Sequence, residues 1–149
     1  MATPPPFELN TLQRDWIAGL PGAALLARVQ QRIAAIQAAG DDVRLRGVLI
    51  VEPEPLRFIA ALFAALHLQV PVILANPNWR QGEWQALAAQ LNPALIFGAC
   101  PLDTEVRAGV AHPPPATILI PTGGSTGGVK FAIHRWQSLQ AACAGLRGW

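Results

Sequence analysis

Charge is what this 149-residue chain has least of. Asp, Glu, Lys and Arg make up 13% of it, against about 25% in a typical soluble domain. Hydrophobic residues make up 52%, so the charges are too few to cover a free-standing body. The composition therefore points to part of a larger body or to an oligomer, and self-association is expected. A net charge of +2 supplies no basic field, so nothing argues for nucleic acid. Cys100 and Cys143 are too few and too isolated for a disulfide framework or a metal site. The three histidines show no ligand spacing. A reducing, cytoplasmic setting is the simplest expectation. Met1 to Leu12 carries Pro4-Pro5-Pro6 and Glu8 and lacks a basic, apolar signal pattern. Phe58 to Ala75 is long enough for a membrane span by the criterion of about 18 residues. His67, Gln69 and Pro71 interrupt it, and it reads better as a buried helix followed by a buried strand, with no span.

What the chain does have is one Gly-rich loop between two apolar runs. Ile118 to His134 reads Ile-Leu-Ile-Pro-Thr-Gly-Gly-Ser-Thr-Gly-Gly-Val-Lys-Phe-Ala-Ile-His. The glycines allow positive φ and close approach of peptide N–H groups to a ligand, and such groups form anion-binding nests. Thr122, Ser125 and Thr126 add hydroxyls, and Lys130 adds a mobile positive charge. Together these suit a triphosphate. A hairpin tip with no ligand is the plainer reading of the glycines alone. The loop is not a Walker A motif, since Val129 precedes Lys130 and Phe131 follows it. It does not fit the dinucleotide fingerprint either, because no suitable strand, glycine spacing and helix coincide.

Along the chain, residues 1–10 read as a mobile arm. Thr11 to Gly19 reads as a short helix presenting Leu12 and Trp16, stopped by Gly19 and Pro21. Leu26, Val29, Ile33 and Ile36 recur at helical spacing between Ala23 and Ala39, with Gly40 as C-cap and Asp41-Asp42 as loop. Gly47 to Val51 is a continuous apolar strand, the kind a parallel sheet covers on both faces. Pro53-Glu54-Pro55 opens a helix to about His67, apolar nearly all round and so buried. Val70 to Ala75 is the next strand. Asn78 is the expected cap of a helix with Gln81 as its reciprocal partner. Trp84, Leu87, Ala88 and Leu91 form its core stripe, and Asn92-Pro93 stops it. Ala94 to Phe97 is a third strand, and Cys100 to Pro115 is loop, stiffened by Pro113-Pro114-Pro115. Strands at Thr117 to Ile120 and Val129 to Ile133 flank the Gly-rich loop. Trp136, Leu139 and Cys143 mark a last amphipathic helix. The alternation predicts an α/β fold with a mostly parallel sheet and helices on both faces.

The loop resembles the phosphate loop of the adenylate-forming superfamily, whose pattern is roughly Thr-Ser/Gly-Gly-Ser/Thr-Thr-Gly-x-Pro-Lys-Gly. Thr122 through Gly127 match it, as does Lys130; Val129 stands for the usual Pro and Phe131 for the usual Gly. The variant ending Val-Lys-Phe-Ala-Ile-His, with a Trp two residues on, looks like the o-succinylbenzoate–CoA ligase branch of menaquinone and phylloquinone synthesis. The resemblance is strong over Thr117 to Trp136. From Ala23 it extends weakly, through a matching order of elements.

The resemblance implies a fold, a reaction and a site. The fold would be the N-terminal portion of a ligase's large domain, with residues 1–22 as arm and short helix and 23–149 as part of the AMP-binding domain. The reaction would join a carboxylic acid to ATP, with Mg²⁺, giving an acyl-adenylate that coenzyme A then converts to a thioester. Thr122, Gly123, Gly124, Ser125, Thr126, Gly127 and Lys130 would grip the β- and γ-phosphates. The family's adenine, ribose, hinge and catalytic-lysine elements have no counterpart here. Lys130 is the sequence's one lysine, so the remainder of a ligase is an expected partner and this chain alone is expected to be inactive. His134 is a candidate for approaching the substrate or for capping the last helix. Trp79 and Arg80 are candidates for the surface or for contact with the acid, and Trp84 and Trp136 for the core. A non-catalytic α/β module that binds phosphate or a partner chain is the competing reading.

Overall fold

The computed structural model describes residues 4–123 and 128–146. Five strands form one sheet in the order β3-β1-β2-β4-β5. They are β1 (Val48–Val51), β2 (Val72–Leu74), β3 (Leu95–Gly98), β4 (Ile118–Thr122) and β5 (Lys130–His134). The first four run parallel, and β5 returns antiparallel to β4.

Alternation of side chains divides the core in two. Val48, Ile50, Val72 and Ile118 face α1 (Gly22–Ala38) and α3 (Pro55–His67). Leu49, Val51, Ile73 and Leu119 face α4 (Gln81–Gln90), through its Trp84, Leu87 and Leu91. The sheet is thus flanked by helices on both faces, as the unbroken apolar strands predict. The topology accounts for it. The α3 crossover steps from β1 to the adjacent β2, while the α4 crossover steps back past β1 to β3. Crossovers of one hand that run in opposite directions lie on opposite faces.

Several local expectations are corrected. The segment expected as a helix over Thr11 to Gly19 is instead a 3₁₀ helix at Leu9–Gln13 followed by an irregular stretch. The cause is a long-range cap: Asp15 Oδ1 accepts the Gly22 N–H at 2.6 Å, where α1 begins. Gly22 itself is pressed against the backbone of Gln13 and Arg14, leaving no room for a Cβ. Residues 4–10 are a docked segment rather than a free arm. Phe7 packs edge-on against Phe63 with ring centroids 5.1 Å apart, and the Pro4 carbonyl accepts from Gln69 Nε2.

The buried stripe of α1 is Leu25, Val29 and Ile36, with Leu26 and Ile33 half-buried beside it. Asp42, expected as loop with Asp41, instead opens a one-turn helix, α2 (Asp42–Arg46). Arg46 explains it. Its buried guanidinium bonds Asp42 in the same turn and also the Asn92 side chain and the Pro93 and Thr104 carbonyls. Gly47 then ends the turn at φ +77, where an added Cβ would lie 2.7 Å from the Pro71 carbonyl oxygen.

The α4 cap lies two residues later than expected. Arg80 is the N-cap, and Glu83 Oε2 accepts its N–H at 2.9 Å. Asn78 lies before the cap, in a turn where its N–H donates to Asn76 Oδ1 at 2.9 Å. No helix among the described residues is long and apolar enough to cross a membrane. The Phe58 to Ala75 run divides into α3 and β2, as read from the sequence. A last helix, α5 (Trp136–Leu146), follows β5, and none of its residues is fully buried.

Candidate functional site

The Gly-rich loop joins β4 to β5 at the carboxyl end of the parallel strands. In open α/β sheets that is the edge where ligands bind. Thr122 and Lys130 are direct antiparallel partners at the root of the loop. Thr122 Oγ1 donates to the Lys130 carbonyl at 3.3 Å, so the two expected phosphate contacts are brought together. Directly opposed residues share a face, and the Lys130 side chain is exposed. Gly124, Ser125, Thr126 and Gly127 lie outside the described residues.

Beside the loop root lies an open cleft of about 630 Å³. Thr122 and Gly123 form one wall, and Asn76, Trp79, Arg80 and Glu83 form the other. The second wall is the turn after β2 and the first turn of α4. It is shaped by two bonds described by turn chemistry: the Asn76 side chain closes the turn, and Trp84 Nε1 donates to the Trp79 carbonyl at 3.1 Å. The rings of Trp79 and Trp84 meet edge to face at 5.2 Å. Arg80 is exposed and presents a guanidinium where the positive end of the α4 dipole also lies. Trp79 and Arg80 therefore lie at the surface, where they line this cleft. Trp84 is core, and Trp136 is half-buried against Phe7 and Phe63.

This cleft can accept an elongated anion. It offers the Arg80 guanidinium in one wall and the Gly123 and Gly128 backbone in the other, while Lys130 stands exposed at the loop root next to the lining residue Val129. Mg²⁺ is normally held by substrate phosphates plus one or two carboxylates. Glu83 is the one carboxylate among the described lining residues, and one of its oxygens is engaged as the α4 cap. A divalent cation here would take most of its ligands from the phosphates. Among the described residues there is no group of three or more His, Cys, Asp or Glu that could hold a metal by themselves.

His134 is not brought to the site. It pairs with Ile118 at the opposite end of the hairpin, four register positions from the Thr122–Lys130 pair. At the strand rise this is roughly 13 Å away. It does not cap α5 either: the Ser138 hydroxyl closes that start, accepting the Arg135 N–H at 3.1 Å and donating to its carbonyl. Cys100 is half-buried and Cys143 exposed, both free.

One site residue has no signal in the sequence. Gln90, at the end of α4, donates to the Val129 carbonyl at the loop exit, 2.8 Å away and 39 positions on.

No family model matches this chain, and no curated protein matches it significantly.

Proposed function

We propose that this chain is the phosphate-gripping, N-terminal part of an ATP-dependent acid–CoA ligase of the adenylate-forming kind. Its acid is o-succinylbenzoate and its thiol acceptor coenzyme A. The observation that carries the reading is the Thr122–Lys130 pair at the root of a Gly-rich hairpin loop, opening on a cleft at the carboxyl edge of a parallel sheet. The branch assignment rests on Val129 and Phe131 within the motif.

The chemistry follows from charge. A carboxylate oxygen attacks the α-phosphorus of ATP, and the bond to the bridging oxygen breaks as pyrophosphate leaves. Negative charge grows on the β- and γ-phosphate oxygens. Lys130 and the loop hydroxyls, together with peptide N–H groups, stabilise that charge without having to reorganise. Mg²⁺ carried by the nucleotide shares the load. The thiol of coenzyme A then attacks the acyl carbon and AMP departs. With Lys130 as its one lysine, the chain on its own is proposed to form no adenylate and to bind ATP weakly.

ATP–pyrophosphate exchange tests this reading. A ligase containing the chain should exchange in the presence of o-succinylbenzoate, and the isolated chain should not. Exchange with no carboxylic acid tried would remove the ligase reading and leave a phosphate-binding module. Exchange with benzoate or a fatty acid alone would remove the branch. Self-association of the isolated chain is part of the same proposal. β5 is a sheet edge and carries Ile133, 57% exposed, which is the arrangement that recruits further strands. Light scattering should show oligomers, and a stable monomer at high concentration would contradict it.

A further inference from the structure

Lys130 is held by its backbone at both flanking peptides. The preceding carbonyl, that of Val129, accepts from Gln90 Nε2 at 2.8 Å. Its own carbonyl accepts from Thr122 Oγ1 at 3.3 Å. The Val129 side chain is buried, which adds a third anchor. The Lys130 side chain itself remains exposed. Its Cα is therefore fixed while its ammonium is free to move over the length of the side chain.

Gln90 belongs to α4, whose first turn forms the far wall of the cleft. Its amide also donates to the Ala86 carbonyl at 2.9 Å, one turn back, which fixes the side chain along the helix end. We propose that Gln90 is a positioning residue for Lys130: it ties the exit of the phosphate loop to α4, so that the Val129–Lys130 backbone and the cleft wall built by α4 keep one spacing. The ligand class this serves is a magnesium-bound polyphosphate. The inference rests on the reading of the loop as a phosphate site. Gln90 is exposed and belongs to neither core cluster, so its contribution is to geometry rather than to the fold.

The sequence supplies a direct probe. Lys130 is the one lysine, so a lysine-specific protease has one cleavage site in the whole chain, the Lys130–Phe131 bond. Gln90→Glu keeps the size of the side chain and removes the donor; Gln90→Arg keeps a donor. Gln90→Glu should be cleaved about threefold to tenfold faster than wild type, the factor for one net hydrogen bond. Its Tm should fall by only about 2–4 °C, the shift that one net hydrogen bond gives in a domain of this size. Gln90→Arg should restore slow cleavage. Inorganic pyrophosphate with Mg²⁺ should slow cleavage of the wild type, and slow it less in Gln90→Glu. Equal cleavage of wild type and Gln90→Glu would overturn the positioning role. So would fast cleavage accompanied by a large fall in Tm and no rescue by Gln90→Arg, since that is the pattern of a general loss of structure. Faster cleavage of Gln90→Glu with no pyrophosphate effect on the wild type would overturn the phosphate reading instead, leaving the tether as a structural fact.

Discussion

The sheet has a covered half and an open half. In the covered half, every residue of β1 is fully buried between α1 and α3 on one side and α4 on the other. In the open half, every position of β5 is exposed or half-buried, and α5 buries no residue fully. The same backbone ladder runs through both. What differs is whether side chains find apolar partners, and that decides where free energy is stored. The covered half can fix the positions of strand ends while contributing no chemistry. The open half carries Thr122 and Lys130, both exposed, and the proposed phosphate site needs that contact with solvent and ligand.

If that division is right, substitutions in the two halves should separate stability from function. The largest loss of stability should come from Ile50→Ala in β1. A fully buried isoleucine in a packed layer costs about 2–5 kcal/mol on truncation, read as a fall in denaturation midpoint. At concentrations low enough to keep the chain monomeric, Ile133→Ala in β5 should cost less than about 0.5 kcal/mol, as exposed positions do. Similar costs at the two sites would mean that the open half is covered in solution, by self-association or another chain.

Lys130→Ala should show the reverse pattern. Its expected effect is a 10²–10³-fold lower rate of adenylation in a ligase containing the chain, as for the loss of one transition-state charge contact. The midpoint of unfolding should not move. The thioester half-reaction, started from preformed acyl-adenylate, should change little, since no triphosphate remains to be held. Equal loss in both halves, measured by single-turnover kinetics, would make Lys130 a structural residue and erase the division.

How much of this was legible in the sequence follows the same line. Covered elements announce themselves: Val48–Val51 is a continuous apolar run, and Trp84, Leu87 and Leu91 recur at helical spacing, because burial selects side chains over a whole segment. The hairpin whose root pairs Thr122 with Lys130 was legible because glycines between two apolar runs mark a turn. What was not legible depends on partners distant in the chain. Asp15 caps α1 from seven residues away, and Gln90 reaches Val129 across 39. Arg46 gathers carbonyls from Pro93 and Thr104. His134 is four residues from Lys130 in sequence, yet an extended strand carries each residue about 3.3 Å further away, so it stands apart from the cleft.

Arg46 tests the covered half at a polar point. Its side chain is 7% exposed, and it satisfies groups on α2, on the end of α4 and on the connector before β4. Asn92 continues the network by bonding Glu105 and Arg107. Arg46→Met keeps the packing and leaves those carbonyls unpaired. Unsatisfied buried groups cost about 1–3 kcal/mol, so a loss near 3 kcal/mol is expected, with the residue 103–107 amides exchanging hydrogen faster. A loss confined to global stability, with no change at the connector, would show that the network does not hold that loop.

The smallest expected effect lies at the rim of the covered half, where α3 begins. Glu54 is the N-cap, and its carboxylate accepts the Leu56 and Arg57 N–H groups at 3.0 and 2.9 Å. Those two bonds favour the ionised form and hold its pKa below the ordinary value of 4.5. Because the folded value is depressed, the stabilisation is present above the unfolded value and is lost as pH falls through the folded one. Glu54→Gln keeps an acceptor oxygen and removes the charge. Its Tm should therefore lie below wild type at neutral pH, by an amount independent of pH down to about 5.5. Below 4.5 the two curves should converge as Glu54 itself becomes neutral. Thermal melts of both proteins from pH 7 to pH 3 provide the measurement. A gap that persists unchanged at pH 3 would mean that the difference lies in side-chain geometry, and that the charge at the start of α3 contributes nothing to holding the covered half together.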